Sequence, residues 1–99
     1  MMTAAAVRQI YAAVVEDLER RAVALESSLA ARDTEEIKRI GHAIKGGASM
    51  AGAMQVSNVG ARLEAGGDQL DNVPALVEQL KAAGRNLRRM LDAEFPAQG

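Results

Sequence analysis

The 99-residue chain has no cysteine and no tryptophan, and only one phenylalanine, one tyrosine, one histidine and two prolines. Without cysteine it can build neither a disulfide framework nor a thiolate zinc site, and a lone histidine completes a metal site only where several carboxylates converge on it. With so few aromatics the core has to be assembled from Leu, Val, Ile, Met and Ala, a composition that favours packed helices. Neither sign of charge dominates: 12 Lys and Arg face 13 Asp and Glu, for a net charge of −1. The broad basic surface that nucleic acid demands is therefore missing. Arg85, Arg88 and Arg89 read as a solvated face near a helix C-terminus, where the helix dipole favours cations. Long apolar runs are missing too. The opening "MMTAAAVRQIYAAVV" is interrupted by Arg8 and Gln9, and neither a signal peptide nor a membrane span is expected. The length suits one domain over residues 1–99, with one modest core and no room for an ATP-binding module. A soluble, cytoplasmic monomer that binds neither nucleic acid nor membrane is expected.

What the chain does contain is helical periodicity. Thr3 reads as an N-cap, and Val7, Ile10, Tyr11, Val14, Leu18, Ala22, Leu25 and Leu29 recur at the three-and-four spacing of one stripe. A long first helix follows, and a break in it would add a short extra N-terminal helical segment. Asp33 and Glu36 have capping-box spacing, so a second helix starts near Thr34, buries Ile37, Ile40, Ile44, Ala48 and Ala51, and ends around Gly52 or Ala53. A third carries Val56, Val59 and Leu63 and stops at Gly66-Gly67, where glycine can take the left-handed turn. Asn72 as a cap and Pro74 in the first turn open a fourth, with Leu76, Leu80, Ala83, Leu87 and Leu91 as its stripe. Pro96 closes a frayed end. The expected fold is all-α, an antiparallel up-and-down four-helix bundle.

The single histidine lies in "GHAIKGGASMAG", Gly41 to Gly52, among four glycines. At roughly 100° per residue, Ile37, Ile40 and Ile44 fall on the opposite side of the helix, so His42 points to water. Lys38, Lys45, Gly46 and Ser49 share its face, with Ala43 and Met50 to one flank. A mid-helix glycine costs roughly 1 kcal/mol relative to alanine, so this concentration of glycines needs a reason. Gly46 stands one turn after His42, and its missing side chain lets a partner's backbone or a bulky anion approach the imidazole. Close helix packing is the reading for Gly41, Gly47 and Gly52. The lysine-glycine pair is not a phosphate loop, which needs glycines before the lysine, after a strand.

His42-Ala43-Ile44-Lys45-Gly46, followed by small residues to Gly52-Ala53 and then by Leu63-Glu64, resembles the histidine-containing phosphotransfer (HPt) domain of multistep phosphorelays. The preceding "LAARDTEEIKRIGHAIKGG" is similar to the loop and helix that lead to that family's phosphorylated histidine. The resemblance implies that His42 takes the phosphoryl group, that Lys45 lies beside its oxygens, that Gly46 leaves room for it and that Glu64 reaches the ring from the neighbouring helix. A carboxylate at Glu64 resembles the chemotaxis-kinase branch. Ala51 stands where a larger apolar residue is frequent, and Gly47 and Met50 where Ser, Ala or Asn are.

An imidazole titrates near neutrality and is nucleophilic when neutral. If Glu64 accepts from Nδ1–H, the tautomer is fixed and Nε2 keeps its lone pair towards solvent. Phosphoryl transfer needs little beyond in-line positioning and compensation of oxygen charge, which Lys45 and Lys38 can supply. The chain would bind no cofactor or metal of its own. Mg²⁺ and the acceptor aspartate would come from a response-regulator receiver domain, docked over Ala43, Ser49, Met50, Lys38 and Gly46, with a sensor histidine kinase as the second partner. Such a protein is a phosphocarrier and not an enzyme. The competing readings are a fragment of a kinase's dimerisation helices, disfavoured because Ala43 and not an acidic residue follows the histidine, and a non-catalytic helical adaptor whose histidine is incidental. A self-contained enzyme ranks last, since the usual triads and acid–base pairs are unavailable.

Overall fold

The computed structural model describes residues 3–50 and 53–94, without the Met50 side chain. The Thr3 hydroxyl accepts from the Ala6 amide at 3.1 Å and starts α1, Ala4–Ala30. This helix is continuous, so the extra N-terminal segment does not form. It ends where Arg32 takes a left-handed φ of 56°, which lets the Arg32 and Asp33 amides donate to the Leu29 and Ser28 carbonyls at 3.0 and 2.9 Å. The Asp33 carboxylate then accepts from the Glu36 amide at 3.1 Å and opens α2, Thr34–Met50. The α3 helix spans Met54–Gly66. A 3₁₀ turn at Leu70–Asn72 runs directly into α4, Val73–Glu94.

The four helices form an antiparallel bundle. Arg8 pairs with Asp92 at 3.6 Å, Glu19 with Arg88 at 2.8 Å and Glu26 with Lys81 at 2.8 Å, so residue numbers rise along α1 as they fall along α4. These exposed pairs mark the register and contribute little stability. Burial holds the fold. Leu25, Ile37, Ile40, Ile44, Leu63 and Leu80 are almost completely withdrawn from water, and each such side chain contributes about 1.5–3 kcal/mol of transfer free energy.

Three local expectations change. Along α1 the stripe holds from Leu18 to Leu25, but nearer the N-terminus Val15 is buried and Ile10 is 48% exposed. Gly67 has a right-handed φ of −65°, and its role is steric: a Cβ there would lie 2.7 Å from the Leu63 carbonyl oxygen and 2.9 Å from Lys38 Cγ. Asn72 belongs to the 3₁₀ turn, and its side-chain amide donates to Gln69 Oε1 at 2.9 Å. The closure at Pro96 and the burial of Ala51 lie outside the described residues.

The crossing of α2 and α3 positions the site. A Cβ on Gly41 would lie 2.7 Å from the Glu64 amide nitrogen and from Leu63 Cβ, and 2.9 Å from the Gly60 oxygen. One on Gly60 would lie 2.6 Å from the Lys45 amide nitrogen and 2.8 Å from the Gly41 oxygen. The two helices therefore touch backbone to backbone at these glycines. Buried Ser57 reinforces the contact: its hydroxyl donates to the Lys45 carbonyl at 3.3 Å and pairs with the Ser49 hydroxyl at 2.7 Å.

Candidate functional site

Because Ile37, Ile40 and Ile44 turn α2 towards the core, His42 projects outward with 74% of its side chain exposed. Its Nδ1 contacts Glu64 Oε2, and Lys45 Nζ donates to Glu64 Oε1 at 3.3 Å. One carboxylate on α3 thus bridges two side chains that stand one turn apart on α2. An ionised carboxylate can only accept, so Nδ1 is the donor in the neutral ring and Nε2 carries the free lone pair. The hydrogen bond from His42, and then that from Lys45, hold the Glu64 carboxyl below the usual carboxylate range.

That shift has a signed consequence. A carboxyl whose folded pKa lies below its unfolded value stabilises the fold above the unfolded value, near 4.5 for an ordinary glutamate, and the contribution is lost as the pH falls through the folded value. Glu64→Gln is therefore expected to be less stable than wild type near neutrality, with the difference shrinking on acidification below about pH 4.5. Urea unfolding at a series of pH values checks this; a difference independent of pH would contradict it.

The remaining residues of the face are dispersed. Gly46 is exposed, and nothing lies within 4 Å of a Cβ built on it or on Gly47, so packing explains neither. Lys38 turns to Asp68, with Nζ 3.9 Å from Oδ2. Ser49 is exposed but tied to Ser57, and Ala43 is half-buried. The Met50 side chain and Gly52 lie outside the described residues. Sequence reasoning did not find the shallow groove beside His42, where Val14, Asp17 and Arg20 of α1 meet Ala43, Ile44 and Gly47 of α2. Nor did it find Ser57 or Gly60, which have no chemical signature of their own and matter only through what α2 brings against them. Among the described residues no helix is long and apolar enough to cross a membrane.

A four-helix bundle that presents a solvent-facing imidazole, braced by a carboxylate and flanked by a lysine and a bare glycine, defines a surface suited to docking and group transfer. The Hpt domain family model matches residues 9–93, and the chain belongs to that family. Hpt domains are phosphocarrier modules that act with kinases and receiver domains in two-component phosphorelays. No curated protein and no solved structure matches the chain.

Proposed function

We propose that His42 accepts a phosphoryl group from the phospho-aspartate of a receiver domain, or from a sensor kinase, and passes it on to another receiver aspartate. The observation that carries this reading is the bridge from Glu64 to His42 Nδ1, which leaves Nε2 as the nucleophile on an open surface. In the accepting step the Nε2 lone pair attacks phosphorus in line. The N–P bond forms as the bond to the aspartate oxygen breaks, and the aspartate leaves as a carboxylate. The proton stays on Nδ1, where Glu64 offsets the positive charge that the ring gains. Lys45 compensates the phosphoryl oxygens, and Gly46 admits the partner. The partner supplies Mg²⁺ and the aspartate, and the groove along Ala43 and Gly47 provides part of the docking surface.

Intact-protein mass spectrometry after exposure to phosphoramidate or to a phosphorylated receiver domain tests this directly. One acid-labile phosphoryl group mapped to His42 is expected. A folded protein that takes no adduct from either donor would instead be a helical adaptor.

A further inference from the structure

The contact between His42 and Glu64 depends on how closely α2 approaches α3, and two glycines define that approach. Gly41 immediately precedes His42, and a Cβ on it would collide with the backbone of Glu64 and Gly60. Gly60 lies one turn before Glu64, and a Cβ on it would collide with the backbone of Lys45 and Gly41. Both groups that hold the carboxylate, the His42 ring and the Lys45 ammonium, are thus attached at or next to the points where the helices touch. The collisions are with main chain, which no rotamer change relieves. A methyl group on Gly60 has to move from 2.6 Å to beyond 3.4 Å before its contact is ordinary, so the helices have to separate or slide. The imidazole hangs from the helix by a single methylene group and has little reach to follow.

Resting on the reading of His42 as the acceptor, we propose that Gly41 and Gly60 are positioning residues: their backbone contact sets the α2–α3 separation at which Glu64 holds the His42 ring with Nε2 free. They touch neither donor nor phosphoryl group and act through Glu64. Gly46 and Gly47 of α2, around which a Cβ would find open space, have no such part.

The test reads the ring directly. In full-length protein carrying ¹⁵N-labelled histidine, at a pH where the imidazole is neutral, the wild type is expected to show the Nδ1–H tautomer. Gly41→Ala and Gly60→Ala should each shift the ring towards Nε2–H and slow phosphoramidate labelling roughly tenfold. Glu64→Ala should do the same. Adding either glycine substitution to Glu64→Ala should slow labelling no further, as expected of residues that act through one another. Gly67→Ala serves as the structural control: its Cβ would meet the Leu63 carbonyl oxygen of its own helix and, across the other end of the interface, the side chains of Lys38 and Ile37, and it is expected to lower stability while leaving the tautomer unchanged. All variants are made in a Gly84→Ala background, because Gly84 lies within α4 with nothing within 4 Å of an added Cβ, and alanine there favours the helix.

Folded Gly41→Ala and Gly60→Ala proteins that keep the Nδ1–H tautomer and the wild-type labelling rate would overturn the proposal, as would an equal tautomer shift in Gly67→Ala. A further measurement needs no variant. On heating the wild type, the Nδ1–H signal should persist until the Lys45 and Glu64 amides open to hydrogen exchange, and its loss well before that opening would also overturn the proposal. The tautomer needs no phosphoryl chemistry to be read. A wild type with the expected tautomer response that takes no label would refute the acceptor role and leave the positioning geometry standing.

Discussion

His42→Gln is expected to take no phosphoryl group from any donor while its unfolding free energy stays within about 0.5 kcal/mol of wild type. The two halves of that expectation have separate causes. The ring is 74% exposed and contributes little to the core, and a glutamine carboxamide can still donate to Glu64. It offers no nucleophilic nitrogen. His42 is also the only histidine in the chain, so no second imidazole can substitute. Mass spectrometry and urea unfolding on the same preparation check both halves. An acid-labile adduct retained by the variant would place the chemistry on another side chain, whereas unchanged partner binding and an unlabelled wild type would favour the adaptor.

Gly46→Leu is expected to move stability and transfer in opposite directions. Nothing lies within 4 Å of a Cβ at this position, and replacing a mid-helix glycine with a good helix former contributes up to about 1 kcal/mol. The variant should therefore unfold at higher urea concentration than wild type. Transfer from a phosphorylated receiver should fall about 100-fold, because the new side chain rises one turn from the imidazole and holds the partner's aspartate away from Nε2. Phosphoramidate, a small donor, should be affected much less. Equal receiver transfer rates in variant and wild type would remove the steric role of Gly46, and equal losses with both donors would point to a disturbed ring and not to a blocked surface.

Much of the fold was legible in the sequence because its signals are local. The Thr3 and Asp33 caps each need only residues within one turn. The isoleucine stripe of α2 placed His42 towards water before any partner helix was known. Where contacts between distant segments decide, the local reading fails. The stripe of α1 drifts at Ile10 and Val15 because the surface it meets changes along its length. The three glycines of α2 look alike in sequence, yet a Cβ on Gly41 would meet the backbone of α3 while one on Gly46 or Gly47 would meet nothing within 4 Å. That difference depends on Gly60, 19 residues further along. Gly66-Gly67 carries the signal of a left-handed helix end, but among the described residues the left-handed turn falls at Arg32, and Gly67 is small because the Leu63 carbonyl, Lys38 and Ile37 crowd it. Glu64 was placed at the imidazole by family resemblance alone, since no periodicity links a carboxylate on one helix to a ring on another.

The openness of His42 also has a consequence in time. A phosphoryl group on Nε2 would face solvent, since the ring is 74% exposed and no wall encloses it among the described residues, so its survival would be governed by the chemistry of the N–P linkage and by how soon a receiver arrives. A message carried in that form keeps no long record. Its strength at the output would follow the encounter frequency with receivers, and hence their concentration, so that scarce receivers would lose signal to hydrolysis even with every residue of the site intact.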